Sequence, residues 1–215
     1  MAKQAKATAA PSGLRNTKAM RMEQAARRRR NQNRWIYGIA AVLVLLVVLA
    51  IALVIRNAQP VAGEETLASQ GNVHIPMGDP TPLYNSTPPT SGPHYDQVAA
   101  WQLYDEPQRY ELLVHNLEDG GVVVYYQCAD GCPETVAQLK DILAPYLDAG
   151  RHVVLVPNDP TWTNGNSQPL HQDMGAKIVL TAWTRILKLD ELDEAKIRAF
   201  IDRYEGIDHH VAGIG

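Results

Sequence analysis

The segment 120–158, GGVVVYYQCADGCPETVAQLKDILAPYLDAGRHVVLVPN, decides the fold. It opens on five β-prone residues, Val122 to Tyr126, and closes on a second apolar run, Val153 to Val156. Between them Val136, Leu139, Leu143 and Leu147 recur at helical spacing, with Pro133 at the start and Gly150 as the stop. Strand, helix and strand in that order predict a right-handed crossover that leaves the two strands parallel.

Working outward, ELLVHNL (111–117) precedes the first strand, and the turn-forming EDGG (118–121) lies between them. Two β-prone runs around such a turn predict a β-hairpin, with Leu113, His115 and Leu117 on one strand face. Toward the C-terminus, KIVLTAWTRILKL (177–189) is long enough for one bent strand or two short ones. ELDEAKIRAFIDRYEG (191–206) then predicts an amphipathic helix opened by acids and ended by Gly206. The fold class is therefore α/β or α+β, a small mixed sheet covered by two helices. Cys128 and Cys132 at a strand end, directly before a helix, add the expectation of a thioredoxin-like core.

Six prolines crowd residues 72–94, which excludes helix and most strand and predicts a long, stiff, extended loop. A polar linker, 56–71, precedes it. Before the linker comes WIYGIAAVLVLLVVLAIALVI (35–55), 21 residues without a charge and long enough to cross a bilayer as a helix. Residues 1–34 carry ten Lys or Arg against Glu23, so this flank is expected on the cytoplasmic side, as a disordered basic tail touching anionic lipid. The globular domain, 72–208, is then extracytoplasmic, in a single-pass protein of the cell membrane, with 209–215 as a flexible tail. A cleaved signal peptide is the rival reading of 35–55, and the length of the apolar run weighs against it.

The net charge of −3 hides two opposite halves. Residues 57–215 hold nine Lys or Arg and 22 Asp or Glu, so that half should repel polyanions, and nucleic acid is excluded as a partner. Lipid, through the helix, and a membrane protein complex are the expected partners.

The chain resembles the membrane-anchored bacterial and archaeal domain-of-unknown-function family numbered 3105. The likeness rests on Tyr84-Asn85 with PPTSGPH (88–94), on LVHNLE followed by GGVVVYY (113–126), and on LTAW (180–183), and spans roughly residues 64–205. The family implies no activity. Its second motif usually carries a second histidine where this chain has Asp119.

Two constellations carry chemistry. His74, His94 and His115 lie in or beside those motifs, and three imidazoles with an acid suit copper or zinc. Asp119 or Glu118 supplies the fourth ligand, and Met77 lies three residues past His74. Equally, such histidines can simply fix loop to sheet. Cys128-Ala-Asp-Gly-Cys132-Pro133 offers a structural disulfide, a redox pair, or soft metal ligands completed by His152 or His171. Its Cys-x-x-x-Cys-Pro spelling also resembles the copper motif of Sco-type cytochrome oxidase assembly proteins. His209-His210, in a Gly-rich tail, reads as no more than a weak scavenger. The function expected is a non-enzymatic, copper-binding accessory or assembly protein of a membrane redox complex. The alternatives are a structural subunit or interaction domain, and an extracytoplasmic thiol-disulfide protein.

Overall fold

A computed structural model of the chain describes residues 13–57 and 59–210. The chain divides into two units, one ending at Ala58 and one beginning at Gln59. The first unit is a single helix, α1 (Gly13–Asn57). Within it Met20–Ala52 is long and apolar enough to cross a membrane, with its apolar side chains, from Trp35 to Ile51, exposed. The basic flank, expected without regular structure, is helical from Gly13, while residues 1–12 lie outside the described residues.

The second unit is built on a five-stranded mixed sheet, β1 (Glu64–Thr66), β4 (Val122–Tyr126), β5 (Val153–Pro157), β6 (Ile178–Ala182) and β7 (Arg185–Leu189), in the order β1-β7-β6-β4-β5. β4 and β5 are parallel, as the strand–helix–strand reading requires, with α3 (Pro133–Asp148) between them in sequence. The 177–189 run resolves into two strands, β6 and β7, paired antiparallel across the turn Trp183-Thr184. α4 (Glu194–Tyr204) starts where Asp193 accepts a hydrogen bond from the Lys196 backbone N–H at 3.0 Å.

Alternation along the strands divides the core between the two faces of the sheet. Val122, Val124, Val153, Leu155, Ile178, Leu180 and Leu187 pack with Leu139 and Leu143 of α3 and with Ile197, Phe200 and Ile201 of α4. Val123, Tyr125, Val154, Val156, Val179 and Ile186 pack on the opposite face with Leu113 and Leu117. Leu143 is fully buried, so truncating it to alanine should cost about 2–5 kcal/mol.

The hairpin expected from 111–126 is not formed. Its first half is a helix, α2 (Tyr110–Glu118), so three helices rather than two cover the sheet. Tyr110, Leu113 and Leu117 are spaced i, i+3 and i+7, the helical period, and all three pack on the sheet. Asp119-Gly120-Gly121 is the helix stop. The Gly120 N–H donates to the Leu117 carbonyl at 3.2 Å and the Gly121 N–H to the Asn116 carbonyl at 2.8 Å, the two bonds of a Schellman motif. Gly120, at φ +79°, takes the left-handed conformation that this termination needs.

The proline-rich arm lacks helix, as expected, but its ends meet. β2 (His74–Ile75) and β3 (His94–Tyr95) form a two-stranded parallel pair in which His74 lies opposite His94. The Ser91 hydroxyl accepts from the Gln70 backbone N–H at 3.0 Å, and the Tyr84 hydroxyl donates to the Pro93 carbonyl at 2.7 Å; together they fix the arm.

Candidate functional site

The β2–β3 register places His74 and His94 side by side, and the last turns of α2 bring His115 against both. The three imidazole centroids form a triangle with sides of 4.9, 5.0 and 5.0 Å. One ring nitrogen from each lies within 4.8 Å of the others. A tetrahedral zinc or copper(II) site needs nitrogens about 3.3 Å apart around bonds of about 2.0–2.1 Å, so modest contraction would suffice.

The ring nitrogens are already committed in a way that selects one atom each. His94, fully buried, donates from Nδ1 to the Gly92 carbonyl at 2.7 Å. His115 donates from Nδ1 to the Tyr95 carbonyl, also at 2.7 Å. Carbonyl oxygens only accept, so each Nδ1 carries a proton. On the other side of the rings, His94 Nε2 is hydrogen-bonded to Glu118 Oε2 at 2.9 Å and His115 Nε2 lies 3.8 Å from Asp119 Oδ1. Ligating histidines are commonly held in this way. Burial lowers the His94 pKa, outweighing the Gly92 hydrogen bond and the Glu118 charge, with His115 and His74 adding to the lowering. A neutral ring is the form that binds metal.

Glu118 closes the site. Its side chain is 1% exposed, and its Oε1 accepts from Asn72 Nδ2 at 2.7 Å. Oε2 lies 2.9 Å from His94 Nε2, 3.6 Å from His74 Nε2 and 3.5 Å from His210 Nε2. Among the described residues the ion-pair partners of this buried carboxylate are all imidazoles. A carboxylate oxygen 2.9 Å from an imidazole nitrogen calls for a proton or a cation between them.

Asp119, one residue on, takes a different place. Its Oδ1 is 3.8 Å from His115 Nε2 and 3.5 Å from His210 Nδ1. His115, Asp119 and His210 thus form a second cluster, again with ligand atoms within 4.8 Å. Sequence reasoning discounted His210 because its tail looked unanchored. The described part of that tail is tied down: the Gly206 N–H donates to the Gly120 carbonyl at 2.8 Å, the His209 N–H donates to the Glu118 carbonyl at 2.9 Å, and His209 stacks on Trp183. Residues 211–215 lie outside the described residues. The Asp208 hydrogen bond raises the His210 pKa.

The cysteine constellation does not assemble as a metal site. Cys128 and Cys132 are joined in a disulfide, Cα atoms 5.7 Å apart, with Cys132 at φ +34° capping α3. They follow the C-terminal end of β4, whereas Glu118 and Asp119 precede its N-terminal end. Five residues of strand therefore separate the two constellations, roughly 16 Å. The histidines expected to assist them are engaged elsewhere. His152 stacks on Trp101 at 4.5 Å. His171 accepts the Asp159 N–H at Nδ1 and donates from Nε2 to the Gln108 carbonyl, which uses both nitrogens. Met77 is exposed.

A family model described as "Protein of unknown function (DUF3105)" matches residues 74–211. The chain belongs to that family. The matched span holds every donor of the two histidine clusters, from His74 at its first residue to His210 near its last. No curated protein and no solved structure matches the chain.

Proposed function

We propose that the folded unit is a metal-binding domain that holds one divalent transition ion through Nε2 of His74, His94 and His115 and Oε2 of Glu118. The observation that carries this reading is the close grouping of the His74, His94 and His115 nitrogens, with His74 and His94 meeting one buried carboxylate oxygen of Glu118 and with His94 and His115 fixed through Nδ1 by backbone carbonyls. A neutral-imidazole and carboxylate set without sulfur suits zinc or copper(II) better than the soft copper(I) ion. Of the two acids expected as fourth ligand, Glu118 lies beside His94 and His74, and Asp119 lies beside His115.

The long apolar helix supports a membrane anchor, and the ten cationic residues before its apolar run support an outward-facing domain. A signal sequence has the same signature near an N-terminus. Together these features support a tethered extracytoplasmic accessory protein, non-enzymatic, that serves a membrane complex. The disulfide at the start of α3 supports a stabilising clip there, and it is the feature behind the thioredoxin-like and thiol-disulfide readings. One observation favours a second reading, a purely structural cluster: a proton between His94 and Glu118 would complete an ion pair that pins the arm to α2.

Elemental analysis of the untagged full-length chain in detergent, after exposure to zinc or copper(II) and desalting, separates the two. Retention of about one ion per chain, lost in His94→Ala with His115→Ala, supports the metal site. A wild type that retains none, while both forms melt cooperatively, sinks it and leaves the structural reading.

A further inference from the structure

The two histidine clusters share His115, and that shared residue has one free nitrogen. Its Nδ1–H is spent on the Tyr95 carbonyl, so Nε2 alone can ligate. Two ions cannot occupy the inner position (His74, His94, His115, Glu118) and the outer position (His115, Asp119, His210) together through that atom. The clusters are alternatives for one ion.

The inner His94 and Glu118 side chains are 0% and 1% exposed and the shared His115 is 10%, whereas the outer Asp119 and His210 are 31% and 41%; the inner His74, at 46%, is the one inner donor open to solvent. His210 is aimed rather than loose. Its Nδ1 lies 2.9 Å from Asp208 Oδ1 and 3.5 Å from Asp119 Oδ1, so between two carboxylates Nδ1 carries the proton. Nε2 is left as the ligand atom, and its neighbour is Glu118 Oε2 at 3.5 Å, which links the outer position to the inner one. The segment carrying it reaches this place because Gly120 lacks a side chain: a Cβ there would sit 2.9 Å from the Ile207 backbone.

We propose that His210 and Asp119 form an outer metal position from which an ion passes to the inner one through the shared His115 imidazole. This rests on the metal-binding reading above and adds to it the route of loading and release. An ion arriving from solvent binds His210 Nε2, Asp119 and His115 Nε2. It then moves inward by exchanging His210 and Asp119 for His94, Glu118 and His74 while His115 stays bound. Release reverses these steps. His74 is exposed as well, but its ring is stacked on His115 at 12° and belongs to the inner set, so it has no second cluster of donors on its solvent side among the described residues.

A position on the route, absent from the final ligand set, affects both rates and neither the stoichiometry nor the affinity. The test uses Co²⁺ as a visible probe on the full-length chain in detergent, with wild type, His210→Ala, Asp119→Asn and His94→Ala compared. Stopped-flow absorbance follows loading, and a chelator chase follows release. The expected result is that His210→Ala and Asp119→Asn bind Co²⁺ to the wild-type stoichiometry with the wild-type spectrum. Loading and release should both slow, by about tenfold, the scale seen when residues around a metal site are removed. His94→Ala should lose the spectrum. Unchanged rates in both outer variants would overturn the route and leave the inner site standing. Loss of the spectrum in His210→Ala would also overturn it, by making His210 a permanent ligand. A wild type that binds no Co²⁺ would overturn the metal reading itself and this proposal with it.

Discussion

Glu111 in the first turn of α2 and Glu118 in its last are both carboxylates with side chains 1% exposed, yet they have opposite company. Glu111 receives both arms of one guanidinium, Arg109 Nε at 2.9 Å and Nη2 at 2.8 Å, a bidentate pair that satisfies it permanently. Glu118 has imidazoles on three sides, whose charge depends on what else is present. Histidines follow the same division. His171, stacked on Tyr110 near the Glu111 end, has both nitrogens on backbone groups, whereas at the Glu118 end His94 pairs its second nitrogen with the carboxylate itself and His115 has a hydrogen bond on Nδ1 alone. Burial alone therefore does not mark a ligand site. What sets the Glu118 end apart is burial combined with imidazole partners in place of a permanent counter-charge.

The largest effect should come from breaking the closed end. Glu111→Ala strands a partly buried Arg109 and should destabilise the unit by about 3 kcal/mol, the lower part of the range for breaking buried pairs. Urea denaturation with chelator present reads it. Glu118→Gln under the same conditions should be nearly neutral, because a glutamine amide can donate to His94 Nε2. Equal destabilisation by the two changes would remove the distinction between the ends.

Zinc should restore the asymmetry in the other direction. At a free concentration about 100-fold above its dissociation constant, a bound ion stabilises the native state by about 2.7 kcal/mol. Wild type should gain that increment in a zinc-dependent denaturation series, and Glu118→Gln should gain none. A zinc increment retained by Glu118→Gln would show that the carboxylate is not a ligand. Smaller still is the effect of Gly120→Ala, which places a Cβ at φ +79° and against the Ile207 backbone. The left-handed conformation costs about 1–2 kcal/mol in a non-glycine residue. The sharper readout is faster amide hydrogen exchange at His209, whose N–H bonds the Glu118 carbonyl. Unchanged exchange would show that the segment does not need that glycine.

The sequence made the β4–α3–β5 half legible because its signals agree: apolar runs of strand length, a helical period between them, proline at the start and glycine at the stop. The other half carried a conflict. Asp119-Gly120-Gly121 ends a helix as well as it turns a hairpin, and LLVHNL is too short for its periodicity to choose. Packing of Tyr110, Leu113 and Leu117 on the sheet made the choice. His74, His94 and His115 were singled out from the sequence, and the structure brings them together. Glu118 and Asp119 are adjacent in the chain, and only helical geometry shows that Glu118 meets His94 and His74 while Asp119 meets His115. His210 could not be read at all, since its position depends on contacts between Gly206, His209 and the α2 terminus, some 90 residues earlier.

The two classes of histidine should also differ under acid. Burial lowers the His171 pKa, opposed by its bond to the Gln108 carbonyl and by the charges of Asp159 and Glu111, and reinforced by Arg109. A group whose folded pKa lies below its unfolded value stabilises fully above the unfolded value, about 6.5 for histidine, and loses that contribution as pH falls toward the folded one. The unfolded chain takes up the proton first, so stability should fall with pH below about 6.5, by at most about 1.4 kcal/mol per pH unit for one such group. His94, lowered for the same first reason, adds a slope of the same sign in metal-free protein. His171→Gln should therefore reduce the slope without abolishing it, measured as urea midpoints between pH 7.5 and 5.5 with chelator present. With zinc added, the remaining slope should steepen, because protons then compete with the ion for His94 Nε2. A slope that zinc leaves untouched would mean that nitrogen is as closed as the pair on His171.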